Sequence, residues 1–323
     1  MALCGLGLSV LGAWGMVGRL TALFTPCISG IVLLLIAFTM LPTVLNFITA
    51  GPDFSFAHGV FAFCLLFAIL LSQRMLPDLL RSTVVIWALL AGSGFYYLWF
   101  QPAPPLAVDP VHIGSAWQAV SFTFDIDLNM LISLLFCFIA LMANDVGSIQ
   151  TTANLLNSTA AGKRTKRGLI ITGLGNAMAG MFGVLGPVNY SLSTGVIISS
   201  RCASHYPLIV AAAAMTVLAC IPAVICAMSY IPPIVVGTIL FYMLCSQISG
   251  GIGVLSPYLV SFRYETGIVI GMPMLLATCI AFLPASVAET IPLLWRPLLT
   301  NGFVVGVIAA IVLEKLLLSE KKM

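Results

Sequence analysis

The chain has 323 residues, of which 61% are hydrophobic and 7% charged, and its mean hydropathy is +1.14. So little charge cannot clothe a core in water, which excludes an ordinary soluble globule and leaves lipid as the solvent for most of the surface. A net charge of +3 gives no strongly basic face, so nucleic acid is not an expected partner.

Apolar runs at helix length predict eleven segments in chain order, at about 2–17, 23–48, 58–73, 79–100, 128–156, 167–185, 194–203, 207–228, 233–253, 265–283 and 297–318. Crossing the hydrocarbon takes about 20 apolar residues, so most of these read as membrane spans. Met1 enters an apolar stretch with no basic region before it, which argues against a cleaved signal and for a retained first helix. The nine cysteines are scattered through apolar windows with no CxxC pair and are expected to pack. Neither a metal nor a cofactor is expected, and no nucleotide-binding glycine loop, nucleophile elbow or HExxH motif supports an enzyme. Threading the spans puts every Lys and Arg except Arg296 on one side. Positive charge marks the cytoplasmic side, so the C-terminus and a basic loop at 163–167 are predicted inside and the stretch 101–127 outside.

The seventh segment, 194–203, is too short to span alone and follows Gly186-Pro187-Val188-Asn189-Tyr190-Ser191-Leu192-Ser193. Irregular backbone at membrane depth survives only where protein buries it or a cavity hydrates it, so a broken crossing is expected here. Comparing the chain with itself at an offset of 207 aligns Val10 with Val217, Leu11 with Leu218, Pro26 with Pro233 and Gly30 with Gly237. Proline and glycine four residues apart at the start of a helix in both copies indicate an internal duplication. The copies lie an odd number of segments apart, which predicts inverted repeats, a transporter architecture. By the same offset the first copy would begin about 80 residues before Met1, so the chain is expected to lack three segments at its N-terminus.

Two elements carry candidate chemistry. On the fifth segment Asn144, Ser148 and Thr151 share one helix face, with Asp145 and Thr152 on the next. A carboxylate in hydrocarbon costs about 2.5 to 3.5 kcal/mol on insertion scales, so Asp145 with Asn144 is read as functional. The hydroxyls of the same helix are read as bundle contacts, worth about 0.6 kcal/mol each. The second element is the helix opening at Thr194-Gly195, whose free N–H groups and positive dipole end suit an anionic or carbonyl-bearing ligand. His58, His112 and His205 are expected at membrane ends, away from any proton relay.

Three stretches then resemble the nucleobase/ascorbate transporter family, also called xanthine/uracil permeases. They are Ala143-Asn144-Asp145-Val146-Gly147-Ser148 with Thr152-Ala153-Asn154, Gly195-Val196-Ile197-Ile198-Ser199-Ser200-Arg201, and Ile231-Pro232-Pro233 through Gly237. The nearest likeness is to the purine permease branch. The resemblance implies an all-α polytopic membrane protein built from two inverted seven-helix repeats, of which this chain supplies helices four to fourteen, with helix ten broken. It implies a core at 1–20 and 128–228, a gate at 21–101 and 229–318, an external loop at 102–127 and a cytoplasmic tail at 319–323. It also implies a site for the base formed by Asn144, Asp145, Ser148, Thr172, Asn189, Tyr190, Ser193, Thr194 and Gly195, with Asn176 supporting it. Asn144 stands where the family commonly has a Glu, and an amide still offers a base edge both a donor and an acceptor. Asp145 is the substitute candidate for proton coupling.

The expected activity is secondary transport of a purine or pyrimidine base such as xanthine or uracil across the inner membrane, by proton symport and alternating access. The expected partners are the base, a proton or sodium ion and the bilayer, and the resemblance admits a homodimer through the gate. The rivals are an anion carrier of the related sulfate-permease type and a truncated paralogue that does not transport.

Overall fold

The computed structural model describes residues 5–7, 9–10, 25–50, 54–77, 83–100, 141–142, 145–184, 186–187, 197, 202–219, 221–260, 263–292 and 295–317. These residues are helical with short connections, and no strand occurs among them. The helices are α1 (Pro26–Ile48), α2 (Phe56–Met75), α3 (Val84–Phe100), α4 (described over 145–155) and α5 (Ala161–Met181). They continue as α6 (Tyr206–Ala219), α7 (Pro222–Ser229), α8 (Pro233–Val260), α9 (Tyr264–Ala281), α10 (Ala285–Thr290), α11 (Arg296–Leu299) and α12 (Gly302–Leu317). Among the described residues, α1, α2, α8 and α9 are long and apolar enough to cross a bilayer, and α3 and α6 are shorter apolar helices. The protein is an all-α polytopic membrane protein.

Of the boundaries that differ from the expectation, three have a clear local reason. Helix α5 begins at Ala161, so the basic run at 163–167 lies in its first two turns and is not a loop. Hydropathy marks where hydrocarbon ends, whereas Ala, Lys and Arg go on favouring helix in water. The segment expected at 207–228 is two helices, because Pro222 opens α7 while Ile221 is extended, at φ −107 and ψ 104. Proline has no N–H to continue the preceding helix and suits the first position of a new one. The segment expected at 297–318 is likewise divided into α11 and α12. The side chain of Asn301 accepts from the amide of Val304 at 3.3 Å and restarts the helix at Gly302.

The described residues fall into two compact units: one within Met1–Met40, Val120–Thr194 and Gln247–Met323, the other within Leu41–Ala119 and Gly195–Ser246. In the first, α1 begins at Pro26 behind a Thr25 hydroxyl that accepts from the amide of Ile28 at 3.1 Å and donates to Glu314 Oε1 at 2.6 Å. Small residues bring its helices close. A methyl added at Gly306 would meet Leu35 and the Cβ of Ala277, and one at Gly302 would strike the Ala277 carbonyl. Close approach at small residues is how membrane helices gain packing when lipid is as apolar as they are. In the second unit, α2, α3 and the first half of α8 share a core of Ala62, Ile69, Val84, Ala88, Ile234, Val235, Ile239 and Tyr242.

The two aligned helices α1 and α8 meet in a reciprocal way. In the first unit a methyl at Gly30 would touch Leu255, and one at Gly251 would touch Leu34, so contacts on α8 run backwards as α1 runs forwards. In the second unit a methyl at Gly237 would touch Ile48. Gly237 lies 207 residues after Gly30, and Leu255 lies 207 after Ile48. The same pair of positions is therefore used twice with the copies exchanged. The chain also passes from one unit to the other inside both helices, after Met40 in α1 and after Ser246 in α8.

Candidate functional site

The residues that hold α4 belong to the first unit. Along this helix Asp145, Val146 and Thr151 have no solvent exposure, Ser148 and Gln150 are buried as well, and Ala153 completes the covered face. So many polar side chains away from water demand internal partners. The Thr151 hydroxyl donates to the Gly147 carbonyl at 2.7 Å and the Thr152 hydroxyl to that of Ser148 at 2.9 Å, four residues back in each case. Both hydroxyls bond back within their own helix, whereas the sequence predicts contacts to neighbouring helices for this set, a role that of these two only Thr151 could fill, through its longer approach to α1.

Two neighbours clamp α4. Towards α1, the Asn154 amide donates to the Ser29 hydroxyl at 2.7 Å, and Thr151 Oγ1 also approaches the Ser29 carbonyl at 3.4 Å. Towards α5, Gln150 Nε2 donates to Thr165 Oγ1 at 3.2 Å, and Ile149 packs where a side chain at Gly168 would stand. The helix bearing Asp145 is thus held from both sides by groups outside the acid itself.

Helix α5 also holds the chain that follows it, up to Pro187. Asn176, buried at 2% exposure, donates through Nδ2 to the carbonyls of Thr172 and Pro187, both at 2.8 Å. One bond ties the amide to its own helix, and the other holds the chain at Pro187, six residues past the end of α5. A methyl at Gly186 would run into the Asn176 amide, so glycine there is a requirement of packing. At Gly183 it is one of conformation, with φ 67.

Of the nine site residues read from sequence, Asp145 and Ser148 lie together on α4, and Thr172 is half-buried on α5 with its carbonyl engaged by Asn176. Asn144, Asn189, Tyr190, Ser193, Thr194 and Gly195 lie outside the described residues. Sequence reasoning passed over Ser29, Gln150 and Thr165, whose partners are 125, 15 and 15 residues away in the chain. A serine three positions into an apolar helix was the one available signal for Ser29. No group of three or more His, Cys, Asp or Glu side chains suited to a metal occurs among the described residues.

Apolar membrane-length helices together with a clamped helix of buried polar side chains define an all-α membrane protein. The chain belongs to the Permease family of xanthine/uracil type, whose model it matches over residues 1–286. It is 24% identical over 313 residues to the xanthine permease XanP of Escherichia coli K12, covering 93% of this chain and 66% of that protein. To the uric acid permease PucK of Bacillus subtilis it is 24% identical over 266 residues, covering 79% of this chain and 60% of that one. The chain therefore spans less than two thirds of the length of either relative.

Proposed function

We propose that this protein carries a purine-type nucleobase across the inner membrane by alternating access, driven by a coupled proton or sodium ion. The observation that carries the reading is the fully buried Asp145 on a helix clamped from two sides in an apolar bundle. A buried acid in a membrane protein is costly and characteristically marks a substrate or ion path. The names of the similar proteins, a xanthine and a uric acid permease, supply the substrate class. A sulfate dianion, which has no N–H to donate to the carboxylate and is doubly repelled by it, would be poorly served by the same site.

In this reading the base is held by Asn144, Asp145, Ser148, Thr172, Asn189, Tyr190, Ser193, Thr194 and Gly195. Asn176 fixes the backbone at Pro187 from which the broken segment departs. The core, 1–20 and 128–228, moves against the gate, 21–101 and 229–318, with the C-terminus in the cytoplasm. The reciprocal Gly30 to Leu255 and Gly237 to Ile48 contacts support inverted repeats, since a duplicated pair that exchanges its partners in antiparallel sense has the two copies in opposite orientation.

Uptake of labelled xanthine, uric acid and uracil, with sulfate for comparison, tests the proposal in cells lacking their own base permeases. Uptake of at least one base and none of sulfate is expected, with Asn144→Ala abolishing it and Ser158→Ala leaving it unchanged. Asp145→Asn should flatten the pH dependence of uptake, and an unaltered pH profile would return Asp145 to a structural role. Sulfate uptake without base uptake sinks the substrate assignment.

A further inference from the structure

Gln247 lies midway along the 28 residues of α8, at the depth of the bilayer centre for a helix that crosses it. Its side chain has no solvent exposure, and among the described residues neither Nε2 nor Oε1 finds a hydrogen-bond partner. Both ends of one amide are therefore unsatisfied in the same place. In hydrocarbon this is costly, because neither a backbone group nor water compensates the lost hydration. Zero exposure also means that no space for a water molecule adjoins the amide, so a trapped water does not resolve the cost in this conformation.

The duplication supplies a control inside the molecule. The position equivalent to Gln247 in the first copy is Met40, which is 40% exposed. In a bilayer an exposed thioether suits lipid, so Met40 needs no partner, whereas the buried amide at Gln247 does. The amide is thus confined to one copy of the repeat, at the position that is buried. It also stands at the residue where α8 enters the first unit.

We propose that the Gln247 amide is a solute-reading group, which bonds the paired N–H and C=O edge of the transported heterocycle once the packing around it opens. This rests on the nucleobase reading above. One donor and one acceptor side by side match the cis-amide edge of an oxidised purine, and a single amide satisfies both at once. The conformation described has this group occluded, and the solute replaces the missing partners when it arrives. An unpaired polar group in the occluded protein is also how a site rejects a cargo lacking the complementary edge.

The test uses Gln247→Met, which copies the equivalent position of the repeat, and Gln247→Asn, which keeps the amide but shortens it. Initial rates of xanthine and uric acid uptake are measured against concentration, alongside thermal melting of the purified, unliganded proteins. The Met variant should melt at or above the wild-type temperature, while its KM for the base rises roughly ten- to hundredfold. The Asn variant should fall between, and should change the ranking of bases that differ at one carbonyl. A Met variant with wild-type KM and ranking overturns the assignment of Gln247 and leaves the permease reading standing. A Met variant that fails to fold shifts the decision to Asn, whose wild-type ranking and KM would overturn it equally. Wild-type protein that takes up no base overturns the nucleobase reading, and this inference with it.

Discussion

Helices α4 and α6 reverse the usual relation between polarity and burial. Helix α6 is apolar along its 14 residues and has no buried residue, with Leu208 71% and Val210 69% exposed. Helix α4 carries Asp145, Ser148, Gln150 and Thr151, and all four are buried. In a soluble protein these assignments would change places. The difference shows that lipid takes the role of the core for α6, while the interior is reserved for groups that need each other or a ligand. Hydropathy alone describes α6 fully and says little about α4, where hydrogen bonds to Ser29 and Thr165 do the positioning.

The largest expected effect breaks the α6 side of this comparison. Ala213 lies at the middle of α6 and is exposed. Ala213→Asp should cost about 2.5 to 3.5 kcal/mol of insertion free energy, while Ala213→Leu should be neutral or favourable. The fraction of the segment that spans, read by glycosylation of tagged flanks, measures this directly. Normal insertion and uptake in the Asp variant would mean that this face meets water, and the contrast with α4 would lose its basis.

The next effect sharpens the α4 side through the helix beside it. Gly186→Ala forces a methyl against the Asn176 amide, which cannot swing aside without giving up its bonds to the Thr172 and Pro187 carbonyls. Overpacking of this kind costs roughly 1 to 3 kcal/mol, so a lowered melting temperature and a loss of uptake are expected. Gly162→Ala is the control, since nothing lies within 4 Å of the added methyl and alanine favours the helix. Equal melting of the two variants would show that the chain at Gly186-Pro187 is not held by Asn176.

How far the sequence was legible follows the range of each interaction. Pro26 and Pro233 marked helix starts because proline acts through its own ring, and both α1 and α8 begin there. The polar stretch from Asp145 was legible because an acid in an apolar run is a local anomaly. The start of α5 was misplaced because the basic residues at 163–167 end the hydrocarbon without ending the helix. The division at Pro222 was passed over because its apolar neighbours concealed the missing N–H within an unbroken hydropathy window. Ser29 and Gln247 escaped for a different reason. A lone serine or glutamine in an apolar helix is common in sequence, and only the fold tells that one is bonded to Asn154 and the other to no described group.

The smallest expected effect tests whether α4 is clamped as a unit. Asn154→Ala removes the 2.7 Å bond to the Ser29 hydroxyl. Hydrogen bonds between membrane helices average about 0.6 kcal/mol, so melting should fall only slightly and uptake should be reduced more than stability. The informative experiment is a double-mutant cycle with Ser29→Ala. If the two side chains act through one bond, the double variant should be no less stable than Asn154→Ala alone, because the second substitution removes a partner that is already idle. Strict additivity would mean that each side chain works independently, which would leave the orientation of Asp145 to Gln150 and Thr165 on the α5 side. The contrast with α6 would then come down to one supported face of α4 in place of two.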